Sequence, residues 1–220
     1  MKREIIQTKD GSTTIYLPDW EESYHSKHGA VQEAYYVFIN NGFSLFKEKP
    51  IAVLEIGFGT GLNAFITCLE AEKSRHNVSY VGVEAYPVTL DEARKMNYAI
   101  EISPRSVSVY EQLHQTDWEI PINITENFTL TKRKQFFEEI NDKEAFDLIY
   151  FDAFGFKVQP ELWSEDIFSR MYLALKPNGV LVTYACRTSI KNAMLAVGFS
   201  IEKLPGAPGK REMLRAVKGP

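Results

Sequence analysis

The sequence predicts an α/β fold: a mostly parallel seven-stranded sheet with helices on both faces, preceded by an N-terminal β-hairpin. Three observations lead there. From residue 51 onwards short apolar runs alternate with stretches of helical periodicity, and strands separated by helices pair in parallel through right-handed crossovers. The first of those runs, Ile51 to Ile56, passes directly into Gly57, Gly59 and Gly61 and then into a helical stretch, the local layout of a nucleotide-type cofactor loop. Gly57, Glu84 and Asp152 each follow the carboxyl end of a different expected strand, where ligands collect in such a sheet.

The elements follow in order. Residues Ile5 to Tyr16 alternate around Lys9-Asp10-Gly11-Ser12, and the Asp-Gly pair favours the tight turn of a hairpin. From Val31 to Phe46 apolar and aromatic residues recur at helical spacing until Pro50 closes the stretch. Residues 1–48 are thus expected to form a hairpin and a leading helix, and residues 49–220 the core, within a single compact domain. In the core, Leu62 to Ser74 reads as a helix, Val78 to Glu84 as a strand, Thr89 to Ile100 as a helix, and Phe128 to Lys132 and Phe146 to Phe151 as strands. A helix over Ser164 to Leu175 is expected to stop at Pro177-Asn178-Gly179 before the strand Val180 to Tyr184. Ser189 to Ala196 reads as the last helix. Ser200 to Lys203 and Arg211 to Val217, joined by Leu204-Pro205-Gly206-Ala207-Pro208-Gly209, read as a hairpin that adds an antiparallel strand to the sheet edge.

Composition narrows the function classes. With 220 residues, 45% hydrophobic and 25% charged, the chain can bury one sizeable core. A formal net charge of −4 argues against nonspecific coating of nucleic acid. It leaves room for local basic sites, at Lys132-Arg133-Lys134 and at Lys203, Lys210, Arg211, Arg215 and Lys218. No apolar run approaches the roughly 20 residues of a membrane span, and Met1 to Asp10 is too polar for a signal peptide. A cytoplasmic protein without a membrane segment is therefore expected. Cys68 and Cys186 have no second cysteine nearby, and His25 and His28 lack further ligands, so neither a disulfide nor a metal site is expected.

The glycine spacing is informative. A dinucleotide fingerprint needs G-x-G-x-x-G and a phosphate loop needs G-x-x-x-x-G-K-[ST], whereas this loop reads G-x-G-x-G with no following lysine. It fits S-adenosylmethionine better. Glu84, at the end of the second core strand, can accept both ribose hydroxyl hydrogens. Glu55 lies inside an apolar strand and needs a partner if buried, either the cofactor's amino group or backbone. A nicotinamide-dependent oxidoreductase is a rival reading, but no hydride-transfer constellation accompanies the loop. A binding module without catalysis is another.

Several separate motifs then carry a resemblance. Tyr24-His25-Ser26 with Gly29, Glu33, Tyr36, Val37 and Phe38, the loop Glu55 to Asn63, and Glu84-Ala85-Tyr86-Pro87 form the first part. Phe151-Asp152-Ala153-Phe154, Pro160-Glu161-Leu162-Trp163 and Gly209-Lys210-Arg211-Glu212-Met213-Leu214 form the second. Together they resemble class I S-adenosylmethionine-dependent methyltransferases. More narrowly, they are similar to the methyltransferase part of the bacterial enzyme that makes 5-methylaminomethyl-2-thiouridine in tRNA. The resemblance implies a Rossmann-like sheet, S-adenosylmethionine as cofactor and tRNA as partner. The reaction implied is methylation of 5-aminomethyl-(2-thio)uridine at the wobble position; a small-molecule N- or O-methyltransferase of the same fold is the alternative.

On this reading Asp152 is the catalytic residue. An alkylammonium has no lone pair, so the site must favour the neutral amine or take its proton, and Asp152 is the best candidate; the rival role for Asp152 is loop capping. Tyr24, Ser26, Glu33, Glu55, Gly57, Gly59, Gly61, Asn63 and Glu84 are expected at the cofactor. Phe154, Phe156 and Trp163 are candidates to stack on an extruded base, and Lys210 and Arg211 to meet tRNA phosphates. Two features depart from the family. Lys132-Arg133-Lys134-Gln135 stands after the third strand where an acidic residue is common, and no segment encodes the flavin-dependent oxidase fused to well-known members, so methyl transfer alone is expected.

Overall fold

A computed structural model describes residues 2–46 and 50–220; the boundary expected at residues 48 and 49 lies outside the described residues. Strands β1 (Glu4–Gln7) and β2 (Thr13–Leu17) pair antiparallel as expected. Asp10 organises their turn: its Oδ1 accepts from Thr8 Oγ1 at 2.6 Å and from the Ser12 amide at 3.1 Å. A short third strand, β3 (Glu22–Ser23), adds to β2, so the extension is a three-stranded sheet and not a simple hairpin. The helix expected over Val31 to Phe46 is three different pieces. Helix α1 (Ala30–Ala34) widens into a π-helical turn at Tyr35–Asn40, and a 3-10 turn follows at Phe43–Leu45. The wide turn buries Val37, Phe38 and Ile39.

The core begins with β4 (Ile51–Ile56), α2 (Leu62–Ser74) and β5 (Val78–Val83). The helix expected over Thr89 to Ile100 is broken into α3 (Leu90–Ala93), started by a Thr89–Glu92 capping box, and α4 (Tyr98–Ile102). Asn97, at the break, accepts from the Thr13 amide at 2.8 Å and donates to Gly11 O at 2.9 Å, clamping the N-terminal sheet to the core. Helix α5 (Val107–Gln115) and strand β6 (Ile122–Thr125) were not foreseen. The chain continues through β7 (Phe128–Arg133), β8 (Phe146–Phe151), α6 (Glu165–Ala174), β9 (Leu175–Thr183), α7 (Thr188–Ala196), β10 (Ser200–Pro205) and β11 (Glu212–Val217). Pro177-Asn178-Gly179 does not precede β9 but lies within it, as an irregularity between Leu175, opposite Phe146, and Val180, opposite Leu148.

Among the described residues the main sheet has eight strands, not seven, in the order β10-β11-β9-β8-β4-β5-β7-β6. The five central strands are parallel, while β6 and the β10–β11 pair are antiparallel at the two edges. Alternate residues of the buried strands feed two apolar layers. One holds Val53, Tyr80 and Tyr150 against α2, α5 and Ile15, Leu17 and Phe38 of the N-terminal segment. The other holds Leu54, Ile149 and Phe151 against α6 and α7. Lys132 corrects the expectation of a basic surface cluster. It is 1% exposed, donates from Nζ to His114 O at 2.9 Å and lies over the Trp118 ring. Burial lowers its pKa to about 8. Both cysteines are free, and among the described residues no helix is long and apolar enough to cross a membrane.

Candidate active site

The chain leaves β4 towards β5 and β7 on one side and later returns to build β8 and β9 on the other. The carboxyl ends of β4 and β8 therefore flank a topological switch point, the place where a parallel sheet opens a crevice. The glycine loop and Asp152 meet there. Gly57 has φ +89°, and a Cβ on it would stand 2.7 Å from the Asp152 carbonyl oxygen. A Cβ on Gly59 would press on the Tyr24 ring at 3.1 Å. The Gly59 amide donates to Glu84 Oε2 and the Tyr86 amide to Glu84 Oε1, both at 2.9 Å. Each carboxylate oxygen keeps a second lone pair.

These elements border a cleft of about 1110 Å³. It is lined by nine of the expected residues: Tyr24, Ser26, Glu33, Gly57, Gly59, Glu84, Asp152, Phe154 and Lys210. The Asp152 carboxyl is raised from 3.8 to about 7, chiefly by burial and further by Glu33, against the opposing pull of Asn63 and Lys210. Lys210 is turned inward. Its Nζ pairs with Glu33 and lies 3.8 Å from the centre of the Tyr184 ring. The charge expected on tRNA phosphates is thus engaged inside the cleft by Glu33. Phe154 stands edge-on to Trp20 and Tyr24, with ring centres 5.5 and 5.0 Å apart.

Other expected residues lie elsewhere. Trp163 is 2% exposed, packs on Phe151 and Phe168, and donates from Nε1 to Phe154 O at 2.8 Å. It braces the Phe154 loop and has no free face for a base. Phe156 lies outside the lining, under the Arg187 guanidinium. Arg211 is exposed in the β10–β11 loop and does not line the cleft. Gly61, with φ +72°, starts α2, and a Cβ there would meet His114 at 2.9 Å, so its role is packing beneath the loop. Glu55 and Asn63 are buried behind the lining; burial pushes the Glu55 carboxyl well above its ordinary range.

Sequence reasoning missed Tyr184, which donates to Ala153 O at 2.9 Å just beyond β9. Its place at a strand end was a signal, but its aromatic character reads equally as core. Trp20 and Arg3 were also missed. Arg3 donates to Glu92 Oε2 at 3.0 Å and Tyr86 O at 2.9 Å, joining the N-terminal sheet to the rim. His25 lines the cleft, with Nε2 2.8 Å from Thr60 Oγ1. Burial, with Lys210, lowers its pKa to about 4, so the imidazole is neutral. Past the Lys132-Arg133-Lys134-Gln135 departure, Phe136, Phe137 and Glu138 reach the rim.

Three comparisons bear on this site. A family profile described as S-adenosyl-L-methionine-dependent methyltransferase matches residues 105–219. Among curated proteins, the chain is 28% identical to the tRNA 5-methylaminomethyl-2-thiouridine biosynthesis bifunctional protein MnmC of Paraburkholderia xenovorans, over 91% of this chain and 33% of that protein. It is 29% identical to the MnmC of Leptospira borgpetersenii, over 89% and 32%. The chain thus spans about a third of the length of these relatives. Among solved structures, MNMC2 from Aquifex aeolicus superposes with a TM-score of 0.80 at 24% identity, covering 100% of this chain and 72% of that one. Spermidine synthase from Thermotoga maritima gives 0.57 at 15% identity, covering 98% and 72%. Both likenesses show the fold.

Proposed function

The chain belongs to the S-adenosyl-L-methionine-dependent methyltransferase family, and from that premise we propose that it methylates the primary amine of 5-aminomethyl-(2-thio)uridine at the wobble position of tRNA, in the cytoplasm. The names of the MnmC relatives support the acceptor. The observation that carries the proposal is Asp152, a carboxyl raised to about 7 at the strand end where the glycine loop and Phe154 meet.

The cleft fits the cofactor. Gly57 and Gly59 leave the loop surface open where a Cβ would fill it, and Glu84 retains acceptor capacity on both oxygens for a pair of ribose hydroxyls. Tyr24, Ser26, Phe136, Phe137 and Glu138 border the same space, and an aromatic face with a carboxylate beside it would suit an adenine and its amino group. When bound, S-adenosylmethionine supplies an electrophilic methyl group on a positively charged sulfur.

The rest falls to this chain's residues. The acceptor arrives as a cation, and the carboxylates of Glu84 and Asp152 along the cleft favour it, the charge of Glu33 being paired with Lys210. An alkylamine has a pKa of about 10.4, so an ordinary carboxylate is a poor acceptor for its proton. Raising Asp152 from 3.8 to about 7 closes roughly half of that gap. Asp152 then takes the proton and frees the lone pair, while Phe154 and Tyr184 exclude water beside it. Arg211, exposed outside the cleft, is the remaining candidate for a phosphate contact.

The test is incubation with labelled S-adenosylmethionine and tRNA from cells blocked in wobble-uridine methylation, followed by nucleoside mass spectrometry. Labelled 5-methylaminomethyl-uridine, with or without the 2-thio group, is expected. Label that enters small amines but no tRNA would overturn the acceptor and leave the family membership standing.

A further inference from the structure

Behind the cleft wall lies a buried chain of polar groups that takes no part in the proposed reaction. Glu55, on β4, is 0% exposed, and Asn63, in the first turn of α2, is 2% exposed. Asn63 Nδ2 donates to Glu55 Oε1 at 2.9 Å and to Asp152 Oδ2 at 2.9 Å. A side-chain amide nitrogen carries two hydrogens, and this bridge uses both. Both are engaged inside the wall, and Asn63 itself does not line the cleft.

Two carboxyl groups joined through one nitrogen repel each other if both are ionised. Burial decides which one stays neutral. Glu55 has no contact with the cleft, and desolvation holds it as the uncharged acid, with the Asp152 charge acting in the same direction. Oε1 accepts from Asn63, and Oε2 has no hydrogen-bond partner among the described residues. The negative charge is thereby left to Asp152, the member of the pair that lines the cleft.

We infer that Asn63 is a positioning residue for Asp152, an inference that rests on the proton-accepting role proposed above: its amide ties Asp152 Oδ2 to Glu55 Oε1 and leaves Oδ1 as the oxygen that meets the acceptor amine. The other titratable groups that interact with Asp152 are Glu33 from α1, Lys210 from the β10–β11 loop, Tyr184 from the end of β9, Tyr80 from β5 and Tyr98 from α4. Glu33 and Lys210 are paired with each other and pull Asp152 in opposite directions, so their effects offset. Asn63 is the neutral donor that favours the anion.

The experiment reads Asp152 directly. Protein labelled with carboxyl-13C aspartate is titrated by NMR, with the Asp152 signal identified by its loss in Asp152→Asn. In Asn63→Leu the Asp152 midpoint is expected about one pH unit higher than in the parent protein, because a hydrogen bond to the charged form has gone. Affinity for S-adenosylmethionine, measured by calorimetry, is expected to stay within about threefold. An unmoved midpoint overturns the inference, as does a large loss of cofactor affinity without a change in midpoint. If Asn63→Leu does not fold, Glu55→Gln decides. An uncharged amide in place of an uncharged acid should leave the Asp152 midpoint where it is, whereas a fall of about one unit would show that Glu55 was ionised and would overturn the arrangement. Neither readout needs tRNA. Failure of the methylation assay would sink the acceptor reading, and the NMR midpoint would still judge Asn63.

Discussion

The two walls of the cleft are made in different ways. On the β4–β5 side the surface is backbone: the Gly57 to Gly59 turn, fixed by amides that donate to Glu84 and by strand ends a few residues away. On the β8–β9 side it is side chains from distant parts of the chain. Glu33, Asp152, Tyr184 and Lys210 converge there and set one another's charge. The contrast teaches that the first wall's recognition follows from local chain geometry, whereas the second wall's chemistry follows from burial and long-range pairing. Damage to the first should appear as lost cofactor affinity, and damage to the second as lost turnover.

The largest effect is expected from Asp152→Ala. Removing a general base lowers turnover by about a thousandfold, while calorimetric affinity for S-adenosylmethionine stays close to that of the parent. A variant that keeps its turnover would remove Asp152 from the mechanism and erase the contrast. Gly57→Ala attacks the seam where both walls touch. A left-handed φ on alanine costs about 1–2 kcal/mol, and the new Cβ stands 2.7 Å from the Asp152 carbonyl. Cofactor affinity should fall by about tenfold or more, and turnover should fall with it because the Asp152 backbone must move. Glu84→Gln is gentler and one-sided. It weakens cofactor binding by about tenfold and leaves the turnover number at saturating cofactor unchanged, since charged hydrogen bonds are lost in ground state and transition state alike. A fall in turnover number with unchanged affinity would reverse the assignment of that wall.

The same contrast governs what the sequence discloses. The glycine loop, Glu84 and Asp152 are contiguous with strand ends, and a period-2 or 3.6 pattern next to a turn is a local signal; β4, α2 and β8 fall where the residues say. Tertiary demands overrode local pattern elsewhere. The helix expected at Thr89 breaks because Asn97 is needed to hold the N-terminal sheet. Tyr35–Asn40 widens where three successive apolar residues all turn inward. Lys132 reads as surface charge in Lys-Arg-Lys, yet strand alternation buries it against His114. Trp163 and Tyr184 sit side by side, rings 6.0 Å apart, with one buried beneath the Phe154 loop and the other facing the cleft. No local pattern separates those fates, because only the folded chain decides which ring faces the cleft.

The smallest effect tests whether the second wall carries a stability penalty that the first does not. Asp152 has its carboxyl raised from 3.8 to about 7 in the folded protein, so the native state holds that proton more tightly than the unfolded chain. Below the ordinary value both states are protonated and nothing is lost. As pH rises from about 4 to 7 the unfolded chain ionises first, and the native state becomes progressively less favoured. Above about 7 the full penalty of the half-buried anion applies. Asparagine carries no such charge. Asp152→Asn should therefore melt with the parent protein at pH 4 and a few degrees above it at pH 8, since in a chain of this size about 1 kcal/mol moves the midpoint by roughly 2–4 °C. Equal melting at both pH values would mean that Asn63 and Lys210 compensate the anion completely. The wall would then hold its charge without strain, as the Glu84 side does.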